Sequence, residues 1–349
     1  MTELKLGEDH PLLRDGEWFE TGEWLEVRSP YDDRLVGRVA WDRPGSADRA
    51  IAAADRAMTA APLAPHERSE ILAAAAALIG ERAELLAGIV SAEAGKPITL
   101  ARLEVERART TMLEASIVAR ELTGETIPID GVAAGAGHAA MTIRVPVGVV
   151  GAITPFNFPL NLSVHKLAPA IAAGCAVVHK PADKTPISAV ALARCLEDAG
   201  LPAGWLNLVL AEPAEVSRRL LEAPAVGLIT FTGSAPVGWS IARAAERTKV
   251  SLELGNATPV IVSPSADLDR AAEATAASAF GFAGQACVSA QRVLVDRSVH
   301  DELLDRLRAI AAAVPAGDPA DPGTVAGPVI DAEARDRILA SIEAAVAAG

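Results

Sequence analysis

One cysteine stands in a setting where its sulfur could act as a nucleophile. Cys287 follows the glycine-rich run Gly281-Phe282-Ala283-Gly284-Gln285 and precedes a strand-like segment, Arg292 to Val295. Small neighbours in a turn can leave a thiolate open to a cleft, and a thiolate is a strong nucleophile. Free cysteines are nevertheless more often small buried hydrophobes. The interpretation of Cys287 therefore depends on the other groups that the chain supplies.

Two polar residues could assist such a thiolate. Asn157 lies in Pro155-Phe156-Asn157-Phe158-Pro159, and an amide held in a proline-flanked turn can donate to a developing oxyanion. Glu253 lies at the end of an apolar strand, where burial would suit it to general-base work. Each residue also has an ordinary interpretation, because Asn157 could stabilise its own turn and Glu253 could form a structural ion pair.

Several loops at strand ends carry residues suited to a dinucleotide. A lysine and an acid such as Lys180 and Asp183 can bind ribose hydroxyls or phosphate, and a helix N-terminus can receive a pyrophosphate. The Gly-x-Gly-x-x-Gly fingerprint is absent, and Lys180 alone could equally be a solvated lysine at a strand end. The predicted cofactor-binding residues are Thr154, Pro155, Phe156, Lys180, Asp183, Gly233, Ser234 and Gly255.

A repeating strand–helix rhythm must position these residues. It predicts an α/β fold with a Rossmann-like, doubly wound parallel sheet, whose ligands bind outside the carboxyl ends of the strands. Residues 1–45 are predicted to form short strands and turns, and residues 46–122 a helical layer without chemistry of its own. Residues 123–146 are predicted to form a hairpin that bridges to another subunit, because an isolated hairpin is marginal in water. The predicted strands of the sheet are Val147 to Ile153, Ala176 to His179, Leu206 to Leu210, Gly227 to Phe231 and Val250 to Leu254.

Composition and charge narrow the class of protein. The 349 residues are 50% hydrophobic but only 3% aromatic, which favours aliphatic helices packed on a parallel sheet. The net charge of −13 and the lack of a basic stripe argue against nucleic-acid binding. Three cysteines are too few for a disulfide framework, and prolines break the apolar run from Val145 to Leu162. We therefore expect a soluble, cytoplasmic protein with no signal peptide, no membrane contact and no metal site.

The order of these motifs resembles that of the aldehyde dehydrogenase family. The resemblance extends from about Asp15 to Gly349, and the frame Ser163 to Pro169 is similar to the lactaldehyde and glyceraldehyde branch. The segments that carry it are Glu93-Ala94-Gly95-Lys96-Pro97, the frame of Asn157, Lys180, the turn Phe231-Thr232-Gly233-Ser234, Glu253, Cys287 and Gly327-Pro328-Val329-Ile330-Asp331.

The resemblance implies an enzyme that oxidises an aldehyde to a carboxylic acid with NAD(P)+. Cys287 would attack the carbonyl carbon, and Asn157 and the Cys287 N–H would hold the oxyanion. Glu253 would activate the water that hydrolyses the resulting thioester. NAD is favoured over NADP, because Asp183 beside Lys180 would repel a 2′-phosphate. The implied domains are an NAD(P)-binding domain over 1–254 and an incomplete α/β catalytic domain over 255–349, and full-length members are expected to be homo-oligomers.

Three features depart from the family pattern. Asn256 stands where a second glycine is usual, and Ala235 stands where threonine is common. The chain ends before the family's later Glu-x-Phe-Gly-Pro motif, so we expect a C-terminally truncated member with weak or no turnover. Two alternatives stay open: a non-catalytic homologue that binds nucleotide or a partner subunit, and a cysteine hydrolase that uses Cys287 with a histidine.

Overall fold

The computed structural model describes residues 5–349, which contain fourteen strands and eleven α-helices. The strands are β1 Asp9–His10, β2 Leu12–Arg14, β3 Glu17–Phe19, β4 Trp24–Arg28, β5 Leu35–Ala40, β6 Thr126–Ile127, β7 Ala140–Met141, β8 Val149–Ile153, β9 Val177–Lys180, β10 Leu206–Leu208, β11 Val226–Gly233, β12 Lys249–Leu254, β13 Pro259–Val262 and β14 Arg292–Val295. The α-helices are α1 Ser46–Ala60, α2 Pro65–Glu81, α3 Ala83–Ala94, α4 Ile98–Glu121, α5 Asn161–Ala172, α6 Ile187–Asp198, α7 Pro213–Glu222, α8 Ala235–Ala244, α9 Leu268–Phe280, α10 His300–Ala313 and α11 Ala332–Ala348.

The central sheet has five parallel strands in the order β10-β9-β8-β11-β12. The chain runs outward from β8 to β10, returns to the other side of β8, and continues outward through β11 and β12. The order of the strands therefore reverses between β8 and β11. The predicted doubly wound parallel sheet is confirmed, and each predicted strand overlaps an observed one.

Helices cover both faces of this sheet. Neighbouring residues of a strand point to opposite faces, so they pack into different cores. Val150 and Val177 pack into one core with helices α2 to α6, whereas Val149 and Val178 pack into a second core with α1, α7 and α8. Strands β8 to β10 are almost wholly buried, as expected for a parallel sheet covered on both faces. Strand β12 is an edge strand, in which half-buried residues alternate with exposed ones.

The hairpin predicted over 123–146 is short. Strands β6 and β7 pair antiparallel through two residues each, and 3₁₀ turns lie between them. Apolar side chains along its second arm are open to solvent, with Met141 76% and Ile143 75% exposed. This ribbon, residues 126–145, presents an apolar surface that the described chain leaves uncovered.

Residues 259–313 form a smaller unit around a parallel pair of strands. Strand β13 pairs with β14, and α9 and α10 pack beside them around Val262, Ala272 and Leu303. A 3₁₀ segment, Gly281–Gly284, joins α9 to the turn that carries Cys287. Within residues 5–349, we find no helix with the length and apolar character needed to cross a membrane.

Candidate functional site

The predicted cofactor loops meet at one edge of the central sheet. Lys180 ends β9, Thr154 follows β8, Gly233 ends β11 and Gly255 follows β12, so all four lie at carboxyl ends of parallel strands. Thr154 and Gly233 flank the point where the strand order reverses. In doubly wound sheets this reversal opens the crevice in which ligands bind. Ser234 then occupies the N-cap position of α8, next to Gly233, and its side chain makes no capping bond.

Lys180 is a buried lysine and not a solvated one. Its Nζ donates to Asp183 Oδ1 at 2.7 Å and to the carbonyl oxygen of Pro181 at 3.1 Å. The backbone N–H of Thr154 donates to the carbonyl oxygen of Lys180 at 3.2 Å, which fixes the loops of β8 and β9 together. Because the ion pair offsets the charge of Asp183, the repulsion that we expected against a 2′-phosphate is weaker than the sequence suggested.

Asn157 reaches the loop that carries Cys287. Its Nδ2 donates to the carbonyl oxygen of Gln285 at 2.8 Å, across 128 residues of sequence. A carboxamide nitrogen carries two hydrogens, so one N–H remains for another acceptor. The bond to Gln285 also fixes the orientation of the amide, because exchanging its oxygen and nitrogen would place two oxygens together. Asn157 is thus held where it can donate beside the cysteine loop.

Cys287 is the exposed cysteine of the described chain, whereas Cys175 and Cys195 are buried. Burial raises the pKa of the Cys175 and Cys195 thiols, so both are closed to solvent and protonated at neutral pH. The side chain of Asn256, at the position where the family usually has glycine, donates from Nδ2 to the carbonyl oxygen of Cys287 at 3.0 Å. Its Oδ1 accepts from the N–H of Thr258 at 3.0 Å. Asn256 therefore ties the loop after β12 to the cysteine.

The expectation that Glu253 is buried is wrong. Glu253 is exposed, because β12 is the edge of the sheet and its alternate side chains face solvent. Its charge acts on Lys166, whose Nζ donates to the hydroxyl of Thr230 at 3.0 Å. Burial lowers the pKa of Lys166 to about 8, and the carboxylate of Glu253 opposes that shift. Glu253 can therefore contact water directly.

The buried side chain of His179 contacts two hydroxyl groups and not the Cys287 thiol. Nε2 of His179 lies 3.1 Å from the hydroxyl of Thr154 and 3.3 Å from that of Ser163. Burial lowers the pKa of His179 to about 3, so the ring is neutral at neutral pH. Along residues 5–349 no hydrogen bond joins the Cys287 thiol to a histidine. The cysteine–histidine pair that a hydrolase needs is therefore not assembled.

The helical layer over 46–122 supports the elements that carry the site. Glu93 in α3 accepts from the N–H groups of Ile187 at 2.9 Å and Ser188 at 3.0 Å, and from the Ser188 hydroxyl. It thereby caps α6, whose N-cap residue, Pro186, makes no side-chain capping bond. Burial raises the pKa of Glu93 to about 8, against the effect of these hydrogen bonds.

Glu104 in α4 serves the start of α5 in the same way. Its Oε1 accepts from the N–H groups of Leu160 and Asn161, both at 3.0 Å, directly after the loop of Asn157. The carboxylate also forms a fully buried ion pair with Lys96. A sequence signal existed, because Glu104 lies on the stripe of buried residues formed by Ala101, Val105 and Ala108.

Gln285 is a further residue that the motif analysis did not single out. Its side chain donates from Nε2 to the carbonyl oxygens of Phe282 and Pro328 at 3.3 and 3.2 Å, and its Oε1 accepts from the N–H of Ile330 at 2.9 Å. Gln285 therefore joins the Cys287 loop to the segment Gly327-Pro328-Val329-Ile330-Asp331. The residue type gives no hint of this, because a glutamine in a turn is usually solvated.

Comparison with known proteins agrees with this arrangement. The sequence model of the aldehyde dehydrogenase family matches residues 18–349. A 3-sulfolactaldehyde dehydrogenase of Priestia aryabhattai is 40% identical over 349 residues, which is all of this chain and 73% of that relative.

Two solved structures extend the agreement to the fold. An NAD-dependent aldehyde dehydrogenase from Sinorhizobium meliloti superposes with a TM-score of 0.93 at 35% identity, covering 98% of this chain and 69% of that one. An NADP-dependent glyceraldehyde-3-phosphate dehydrogenase from Bacillus halodurans C-125, in complex with NADP, gives a TM-score of 0.92 at 33% identity, covering 96% and 71%. The motifs, the strand order and these matches agree, and the chain belongs to the aldehyde dehydrogenase family of NAD(P)-dependent oxidoreductases.

Proposed function

We propose that Cys287 is the nucleophile of this chain and that Asn157 stabilises the oxyanion formed on the aldehyde. The observation that carries the proposal is the bond between Asn157 Nδ2 and the carbonyl oxygen of Gln285, two residues before the exposed cysteine. It holds a donor with one unused N–H against the loop that carries the thiol. A preorganised donor of this kind contributes about 100- to 1000-fold to kcat in acyl-transfer enzymes.

The proposed chemistry assigns one role to each residue. The Cys287 thiolate adds to the carbonyl carbon, forming a carbon–sulfur bond and an oxyanion that Asn157 and the Cys287 N–H bind. After loss of hydride the bound group is a thioester. Glu253, which faces solvent, then removes a proton from a water molecule, and the oxygen of that water attacks the thioester carbon. The carbon–sulfur bond breaks, releasing a carboxylic acid and regenerating the thiolate.

The edge of the sheet fits a nicotinamide dinucleotide, which supplies the hydride acceptor when bound. Lys180 uses two of its three N–H bonds on Asp183 and Pro181, so one remains for a ribose hydroxyl or phosphate oxygen. Gly233 and Ser234 offer the N-terminus of α8 to a pyrophosphate. A side chain at Gly255 would meet no atom within 4 Å, so the loop after β12 leaves open space. We assign Thr154, Pro155 and Phe156 to the wall between these groups.

We further propose a small, hydroxylated aldehyde as the substrate and NAD as the preferred cofactor, with NADP as an alternative. The names of two similar proteins, a sulfolactaldehyde and a glyceraldehyde-3-phosphate dehydrogenase, support this substrate class. We also propose a cofactor domain over 1–254, a partial catalytic domain over 255–349, a cytoplasmic location, and a homo-oligomer built through the ribbon over 126–145.

Trapping the covalent intermediate would test the catalytic assignment. The chain is mixed with lactaldehyde, glyceraldehyde or propanal and with NAD+ or NADP+, and reduced cofactor and intact mass are followed in the first turnover. We expect reduced cofactor to appear together with an acyl mass on the Cys287 peptide. Cys287→Ala should abolish both, and Asn157→Ala should slow the burst by about 100-fold or more.

Two controls make this result decisive. Cys195→Ala removes a buried thiol and should leave the burst rate unchanged. A burst that persists in Cys287→Ala, or an acyl group on another cysteine, would refute the assignment. Binding of cofactor without any burst or acyl mass would instead favour the non-catalytic homologue.

A further inference from the structure

Lys96 is buried at the centre of the elements that carry the proposed site. It is 1% exposed and lies in the turn between α3 and α4, within the segment Glu93-Ala94-Gly95-Lys96-Pro97. Its Nζ forms the ion pair with Glu104 and lies 3.5 Å from the ring centroid of Phe158 and 4.8 Å from that of Phe282. Phe158 directly follows Asn157, and Phe282 begins the turn that leads to Cys287. One ammonium group thus contacts both loops.

The loop on the Cys287 side needs such support. Phe282 and Ala283 have φ values of 53° and 52°, in the left-handed region that bulky L-residues disfavour. Strain of this kind persists only where surrounding contacts determine the backbone. The N–H of Phe282 donates to the carbonyl oxygen of Val325 at 3.2 Å, and its ring is buried against Lys96. The ammonium and this hydrogen bond hold the strained turn from two sides.

The loop on the Asn157 side is held through the same pair. The Lys96 ammonium lies over Phe158, and its partner Glu104 accepts from the N–H groups of Leu160 and Asn161. Burial lowers the pKa of Lys96, and the carboxylate of Glu104 together with the two ring faces favours the charged form.

Close backbone packing surrounds the turn that carries Lys96. A side chain at Gly95 would come within 2.7 Å of the Pro328 ring, and one at Gly327 would come within 2.2 Å of the Gly95 carbonyl oxygen. The two motifs are therefore in direct contact, although 232 positions separate Gly95 from Gly327 (327 − 95).

We infer that Lys96 is a positioning residue that aligns the oxyanion donor Asn157 with the Cys287 loop through Phe158, Glu104 and Phe282. This inference rests on the proposed function, because it assumes that those two loops carry the reaction. An ammonium group between two aromatic faces can order both loops without touching the substrate. Displacement of a reacting group by about 1 Å can cost about 100-fold in rate.

The test removes the charges of Lys96 and Glu104 and compares the result with the removal of a second ion pair, far from the two loops in the sequence. In Lys96→Met/Glu104→Gln the buried charges are gone, and the glutamine oxygen can still accept from Leu160 and Asn161. The control is Arg14→Met/Asp42→Asn, which removes a partly buried ion pair whose cation lies 4.1 Å from the Phe19 ring centroid. The single variant Phe282→Leu removes one ring face and keeps the ion pair.

Hydrogen exchange and kinetics are measured on all variants. In Lys96→Met/Glu104→Gln we expect the amides of 155–160 and 281–287 to exchange at least about tenfold faster than in the unmodified chain. In Phe282→Leu we expect this increase only in the amides of 281–287. The kcat for the aldehyde should fall about 10- to 100-fold, with KM within about threefold of the unmodified chain. The Arg14→Met/Asp42→Asn control should match the unmodified chain in the exchange rates of both loops and in kcat.

Two results separate failure of this inference from failure of the proposed function. Loop exchange and kcat within about twofold of the control would overturn the positioning role, whatever the activity of Cys287. Absence of aldehyde-dependent reduction and of acyl-Cys287 in the unmodified chain would overturn the proposed function, and loop exchange would still decide whether Lys96 orders the two loops.

Discussion

Replacing Asn256 with glycine would remove the side chain that joins the loop of β12 to the cysteine. Two hydrogen bonds are lost, one to the carbonyl oxygen of Cys287 and one from the N–H of Thr258. Because Asn256 is exposed, each bond contributes near the lower limit, about 0.5 kcal/mol. Glycine adds about 0.5 kcal/mol of backbone entropy. The sum, about 1.5 kcal/mol, corresponds to about a tenfold rise in the open population of the loop.

Hydrogen exchange of a peptide covering 285–289 would measure that rise directly. Asn256→Asp serves as the discriminating variant, because its carboxylate can accept from Thr258 but cannot donate to Cys287. If the bond to Cys287 orders the loop, the aspartate variant should exchange about twofold faster than the unmodified chain, and the glycine variant about tenfold faster. Ser298→Gly, which removes a hydrogen bond to Asp296 in another exposed turn, controls for unspecific loosening. Exchange in Asn256→Gly equal to that of the unmodified chain would refute the reasoning.

Three further measurements follow from the geometry. The pKa of Lys166 is lowered to about 8 from an ordinary 10.5, so the unfolded chain holds that proton more tightly and the free energy of unfolding should rise by about 3 kcal/mol between pH 8 and pH 10.5. Lys166→Met should flatten this rise in denaturant titrations. Parallel plots of unfolding free energy against pH for the two proteins would contradict the assignment. Met141→Asp/Ile143→Asp should shift the chain to a smaller species in light scattering if the ribbon joins subunits, whereas Val346→Asp, at an exposed position of α11, should not. NAD should bind more tightly than NADP in fluorescence titrations, and Lys180→Met should weaken the binding of both cofactors by about tenfold or more. If Asp183→Asn leaves the affinity for NADP unchanged, charge repulsion by Asp183 is not the cause of the preference for NAD.

The parts of the fold that sequence predicted well are those governed by local pattern. Alternating apolar runs gave the five strands, and the carboxyl-end rule placed Lys180, Thr154 and Gly233 on one edge. The exposure of Glu253 could not be predicted, because it depends on β12 being an edge strand, which is a property of the strand order. The cap of α6 was missed for a similar reason, since Glu93 lies 94 positions before Ile187 and meets it only through packing of the helical layer.

The long separations within the hydrogen-bond network also bear on how the protein folds. Glu104 and Leu160 are 56 positions apart, Gln285 and Ile330 are 45 apart, and Asn157 and Gln285 are 128 apart. Contacts between distant residues form late, because loop-closure entropy opposes them until other structure is present. Assembly around Cys287 therefore needs the helical layer, the sheet and the segment near Ile330 together. During synthesis on the ribosome, the bond that brings Asn157 to the cysteine loop can form only after residue 285 has left the exit tunnel.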